Sequence, residues 1–203
     1  MARHTIHVVG LTGYAGSGKD TAAGGLVAVG YQRMAFADGV RELALAVDPW
    51  IASQGLSPVP LRLSLLVAKR GWHWAKGFPE VRETLQNIGK GVRDIVGPRA
   101  WVDALDRRWR AAGSPDVVVT DVRYPNEAAW VKDRGGMVIR VDRPGIGPVN
   151  GHESETLVGA IAADATVVND GTEAELRDRV AEMVREHYQA RPAFMFVSPT
   201  ATR

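Results

Sequence analysis

Cysteine is absent from the 203 residues of this chain. Disulfides, thiolate catalysis and cysteine-ligated zinc are therefore excluded, and the absence fits a reducing cytoplasm. No apolar run approaches the roughly 18 residues that cross a bilayer. A soluble, intracellular protein without a membrane partner is expected. Blocks of one charge sign are lacking too: 25 Lys and Arg stand among 23 Asp and Glu, for a net charge of +2. Scattered arginines suit phosphate-sized targets better than a nucleic-acid polymer. There is no internal repeat and no low-complexity segment. What remains is ordinary globular composition, 45 % hydrophobic and 24 % charged, in a chain long enough for one compact domain with a small insertion.

Short apolar runs alternate with helical patterns, which predicts an α/β fold with a largely parallel sheet. Five strands are expected: Ile6 to Leu11, Gln32 to Ala37, Val117 to Thr120, Met137 to Val141 and Ala165 to Val168. "VVVT" reads as a strand covered on both faces. The segment 38–116 looks almost wholly helical and too long for a bare crossover, so a cap over one end of the sheet is expected. It is broken at "GLSPVP" and "WHWAKGFP". The end of the chain, 190–203, lacks periodicity and reads as a loosely packed extension.

Between the first strand and the first helix stands Gly13-Tyr14-Ala15-Gly16-Ser17-Gly18-Lys19, the spacing G-x4-G-K of a phosphate-binding loop. Glycines let successive backbone N–H groups turn toward phosphate oxygens, and the helix N-terminus adds a favourable dipole. Lys19 would reach the distal phosphates as a mobile point charge. Asp20 occupies the position where such loops carry a hydroxyl that touches Mg2+. A carboxylate can serve the same cation, and Thr21 beside it still offers a hydroxyl. The bland alternative is a glycine-rich turn with no ligand. Gly24 and Gly25, further along this helix, predict tight backbone packing against a neighbour.

Asp121 follows the third strand, where a second acid of phosphate-loop proteins holds Mg2+ or its waters. Arg123 could reach the same crevice, and Pro125 opens a helix with Asn126 and Glu127 in its first turn. In "FPEVRETLQNIGKGVRDIV", Val81, Leu85, Ile88, Val92 and Ile95 form an apolar stripe. Arg82, Gln86, Gly89 and Arg93 run beside it, and would suit a phosphate and a base or simply be the polar flank of an amphipathic helix. Asp38 reads as a helix N-cap, with Arg41 one turn on. The glycine- and proline-rich loop 143–155, carrying Arg143 and His152, could be a lid.

With these residues on the page, the chain resembles the bacteriophage deoxynucleoside monophosphate kinases, within the P-loop nucleoside monophosphate kinase superfamily. The resemblance rests on "GSGKDT", "FADGVRE", "LQNIGKGVR", "WVDAL", "DVRYPNEA", "HESE" and "VVNDGTEAEL", in the family's order to about residue 180. It implies a three-layer P-loop kinase domain over 1–203, with 38–116 as a helical monophosphate-binding insertion. It implies ATP at Lys19 and its loop neighbours, with Mg2+ at Asp20 and Asp121. Asn169, Gly171 and Thr172 would wall the adenine. Phe36, Asp38, Arg41, Arg82, Gln86, Gly89, Arg93 and Trp101 would hold a deoxynucleoside monophosphate, with Trp101 and Gln86 as base contacts. Asp121, Arg123 and Glu127 would lie between the two nucleotides, and Arg143 and His152 on the lid. Supply of deoxynucleotides in a host cytoplasm and, often, a dimer are implied as well.

The expected reaction is ATP + dNMP to ADP + dNDP, run by alignment and charge neutralisation. Lys19, Asp121, Arg123 and Arg143 would be its catalytic set. "VVNDGT" is also similar to dephospho-coenzyme A kinases, which differ in acceptor. A nucleotide-binding switch is the alternative from another class, and it would need no second phosphate site.

Overall fold

A computed structural model describes residues 6–52, 59–147 and 153–190, with the side chains of 153–156 left aside. Along the chain run β1 (Val8–Thr12), α1 (Lys19–Ala28), β2 (Gln32–Met34), α2 (Ala37–Val47), β3 (Trp50–Ile51) and β4 (Leu61–Arg62). Next come α3 (Leu63–Ala75), α4 (Pro79–Ile95), α5 (Ala100–Ala111), β5 (Val117–Val119) and α6 (Pro125–Lys132). The last elements are β6 (Met137–Asp142), α7 (Glu153–Ala160), β7 (Ala165–Val168) and α8 (Glu173–Gln189). Two compact units result, one from the chain up to Ala35 and from Asp106 onward, the other from Phe36 to Leu105.

The first unit is the α/β body that the alternating pattern predicts. Its five strands are all parallel, in the order β2–β5–β1–β6–β7. Val9, Leu11, Val118, Ile139, Val141 and Val167 turn one face toward α1 and α8, which answer with Ala22, Leu26, Leu176, Val180 and Val184. The neighbour that Gly24 and Gly25 predict is α8: a Cβ on Gly25 would stand 2.9 Å from the Arg177 carbonyl oxygen. The other face carries α6, since a Cβ on Gly10 would meet Val122 Cγ2 at 2.9 Å and Val131 Cγ2 at 3.0 Å. This gives helix, sheet and helix layers, the P-loop kinase architecture.

Asp106 on α5 braces that second helical layer. It accepts from Trp130 Nε1 at 2.9 Å and from Arg110 Nε at 2.7 Å, and it pairs with Arg134. Burial alone would raise its pKa, but these donors and the arginine charges hold its carboxyl below the usual range.

The second unit centres on Ala44, Ile51, Leu63, Leu66, Ala75 and Val81. It departs from the sequence expectation in three ways. It contains an antiparallel ladder, β3 with β4, where only helix and breaks were expected. A run of two residues per strand is too short to show a period of two. Asp38 is not the N-cap of α2; Phe36 stands there, and Asp38 lies in the first turn, because β2 stops at Met34 rather than Ala37. Ile95 leaves the apolar stripe, being 88 % exposed in the last turn of α4.

Asp48 joins α2 to α3. Its backbone is left-handed (φ 48°), and its carboxylate accepts from Ser64 N at 2.8 Å and Ser64 Oγ at 2.9 Å. Among the described residues no helix is long and apolar enough to cross a membrane.

Candidate active site

The loop from Gly13 to Gly18 joins the C-terminal end of β1 to the start of α1. Gly18 is the N-cap of α1 in the left-handed region (φ 103°), with no side chain capping the helix. The first-turn N–H groups of α1 therefore look for acceptors outside the helix, which is the condition for anion binding. Lys19 Nζ donates to Gly13 O and Tyr14 O, each at 2.7 Å. The ammonium is thus parked on the loop's own carbonyls, where a phosphate can draw it off. Ser17 is 1 % exposed, and its N–H donates to Tyr14 O at 3.2 Å.

Asn169 lies just past β7 and reaches back to this loop. Its Nδ2 donates to Ser17 O at 2.9 Å, so here it shapes the phosphate loop itself. Thr172 is the N-cap of α8: its hydroxyl accepts from Glu175 N at 3.3 Å, and Glu175 Oε2 accepts from Thr172 N at 2.7 Å. Gly171 gives that carboxylate room, since a Cβ on it would lie 2.2 Å from Glu175 Oε2. Ile146, within the lid sequence, and Gly159, beyond it, stand near Gly16 and the Tyr14 hydroxyl. Arg143 is exposed at the turn after β6; His152 lies outside the described residues.

Asp121 owes its position to a break in register. Val119 is matched with Gly10 in the ladder, and regular pairing would carry Asp121 N to Leu11 O. Instead Val122 N makes that bond, at 3.0 Å. One extra residue is accommodated, a bulge that moves Asp121 out of the ladder and turns Val122 into the packed face. Beyond it, Glu127 is 5 % exposed, and its Oε2 accepts from Arg123 N at 2.7 Å and Tyr124 N at 3.0 Å. The start of α6 is thereby fixed together with the backbone of Arg123.

Asp20 stands open to solvent. Its side chain is 87 % exposed and lies 3.9 Å from Arg33 of β2. Thr21 is half-buried one residue on. Arg33 was not singled out from the sequence, because an arginine on a short strand carries no local signal. Thr12, the last residue of β1, is 0 % exposed, and its hydroxyl has no hydrogen-bond partner. The signal for it was there: one hydroxyl ends an otherwise apolar run directly before Gly13.

In the second unit, Arg41 Nη1 donates to Asp38 Oδ1 at 2.8 Å, while its buried Nε has no partner. Phe36 is 3 % exposed. Gln86 is exposed on α4 and Arg93 half-buried. Arg82 Nη1 donates to Lys76 O at 2.9 Å, just past the end of α3. Trp101 is only 7 % exposed; its Nε1 donates to Gly89 O at 2.9 Å, and a Cβ on Gly39 would touch its ring at 3.0 Å. The indole is a packing post between α2 and α4, rather than the open face that base stacking requires. Sequence spacing shows that an aromatic is present but not which way its ring is covered.

A mimivirus protein (Acanthamoeba polyphaga mimivirus) described as "Putative deoxynucleotide monophosphate kinase" is 32 % identical over 188 residues, which are 87 % of this chain and 95 % of that protein. The chain belongs to the deoxynucleotide monophosphate kinase family. No protein-family model matches it. Solved structures similar to it include dephospho-CoA kinase from Campylobacter jejuni, at 14 % identity and TM-score 0.47 over 91 % of this chain and 98 % of that one. Shikimate kinase from Aquifex aeolicus vf5 follows, at 14 % identity and TM-score 0.43 over 91 % and 99 %.

For a deoxynucleotide monophosphate kinase family member, the donor set suits Mg2+. Among the described residues there is no cluster of three or more metal-ligating side chains. Mg2+ bound with substrate phosphates needs only one or two carboxylates and oxygen donors, with water completing its shell. Asp121, Asp20 and Thr21 are oxygen donors of that kind.

Proposed function

We propose that the protein transfers the γ-phosphoryl group of ATP to a deoxynucleoside 5'-monophosphate. The observation that carries this reading is the phosphate loop: an uncapped α1 N-terminus, Lys19 held on releasable carbonyls, and Asn169 pinning the far side. The description of the family relative favours a deoxynucleotide monophosphate as the acceptor.

In this reading the loop amides and Lys19 hold the β- and γ-phosphates. Bound Mg2+, held by Asp121 and by Asp20 or Thr21, supplies charge neutralisation on the phosphate oxygens. Arg41, preset by its bond to Asp38, binds the acceptor phosphate, with Arg93 as the second cation of that unit. An oxygen of the acceptor phosphate attacks the γ-phosphorus, the bond to the β-phosphate oxygen breaks, and ADP leaves. Arg123 and Arg143 meet the charge that develops on the transferring group. Asn169 and Gly171 lie on the nucleotide side, with Thr172 holding α8 in place. The product is a precursor class for DNA synthesis.

The test is ADP release from Mg-ATP with each common dNMP, each NMP and dephospho-coenzyme A offered separately. A rate that rises only with certain deoxynucleotides supports the reading and gives the base choice. A response only to dephospho-coenzyme A, or a flat panel with ATP still bound, overturns it.

A further inference from the structure

Thr12 is fully buried, and its hydroxyl has no hydrogen-bond partner. An unsatisfied buried hydroxyl costs stability and calls for a reason. Its surroundings follow from the packing. Thr12 shares a face of β1 with Gly10, two residues earlier, and a Cβ on Gly10 would meet Val131 of α6 at 3.0 Å. Because α6 joins two parallel strands, it runs against them. Two strand residues advance roughly 6.6 Å, and one helical turn back from Val131 covers about 6 Å. That turn ends on Glu127. By that count residue Glu127 falls at about the level of Thr12 on the α6 side of the sheet.

Glu127 already holds Arg123 N and Tyr124 N. Thr12 directly precedes Gly13, whose carbonyl receives the Lys19 ammonium. Phosphates that draw Lys19 away leave that carbonyl, next in the chain to Thr12, without its ammonium donor. We propose that Thr12 and Glu127 are a positioning pair: with nucleotide bound, the Thr12 hydroxyl donates to the Glu127 carboxylate and so sets the backbone that presents Arg123. This inference rests on the proposed phosphoryl transfer. It gives the carboxylate of Glu127 an indirect task, acting through Arg123 rather than on a nucleotide.

The experiment compares wild type, Thr12→Val, Thr12→Ser, Glu127→Gln and the Thr12→Val/Glu127→Gln double variant. Each is assayed as the full chain, for kcat and KM with the fastest deoxynucleotide of the panel and for Tm without ligand. Thr12→Val should keep or slightly raise the unliganded Tm, because the hydroxyl it removes is unpartnered. Its kcat should fall about tenfold, the worth of one hydrogen bond to a charged group, with KM for ATP unchanged. Thr12→Ser should restore kcat. The double variant should be no slower than Glu127→Gln alone. Wild-type turnover in Thr12→Val, a lowered Tm with unchanged kcat, or losses that multiply in the double variant would each overturn the pair. A wild-type chain that phosphorylates no monophosphate defeats the proposed function itself, a separate result, and the pair falls with it.

Discussion

The side-chain amide of Asn169 donates to the carbonyl of Ser17 at 2.9 Å across 152 residues of sequence. A segment after the last strand thereby fixes the loop that opens the first helix. Asn169→Ala removes the donor and leaves the strand-to-helix loop less tightly held. KM for ATP should rise about tenfold, the equivalent of one hydrogen bond, with a smaller change in kcat. Steady-state kinetics at saturating dNMP measures it, and an unchanged KM would show that the loop holds its shape unaided.

The bonds of Lys19 to Gly13 O, Tyr14 O and Ser17 Oγ lie within its own loop. Lys19→Ala should therefore leave stability within about 1 kcal/mol of wild type. Transfer should drop by about 100-fold or more, as for other groups aimed at developing charge. Circular dichroism melts and ADP release separate the two effects. Undiminished turnover by a folded variant removes the loop from the chemistry.

Gly25→Ala sets helix propensity against packing. On propensity alone, alanine would stabilise α1 by about 1 kcal/mol. The new Cβ would stand 2.9 Å from Arg177 O and 3.0 Å from Arg177 Cβ, so α1 and α8 must part. Overpacking of that kind costs about 1–3 kcal/mol, and the net result should be a lower Tm in calorimetry. A raised Tm would mean that α8 yields freely.

Tyr31 titrates against the fold. Burial first, then the charge of Asp116, pushes its hydroxyl above the ordinary tyrosine value, and the hydroxyl lies 3.2 Å from His7 Nδ1. In the unfolded chain the group ionises near pH 10 or so, while the folded chain keeps its proton. The unfolded state then binds fewer protons, and stability falls as pH rises above that point. Urea unfolding at mildly and strongly alkaline pH should show the loss, and Tyr31→Phe should reduce its slope.

The sheet was legible because its signals are local. "VVVT" and the run into Gly13 are buried on both faces, and a continuous apolar stretch says so without reference to anything distant. The phosphate loop was legible for the same reason, since its spacing and its strand-to-helix context lie within a dozen residues. The roles of Trp101 and Asn169 were not. Each depends on what lies across the fold, a glycine on another helix for one and a carbonyl far back in the chain for the other. The bulge at Asp121 was equally hidden, because register is a property of two strands and the sequence shows one at a time. Four residues of β3 and β4 carried no period at all.

The insertion leaves the sheet after β2 and the chain re-enters it at β5, and these two strands are hydrogen-bonded neighbours. Every ladder bond of the five-stranded sheet is therefore made by residues outside 36–105. A change anywhere in 36–105 therefore removes no ladder bond from the sheet that carries the Gly13 to Gly18 loop.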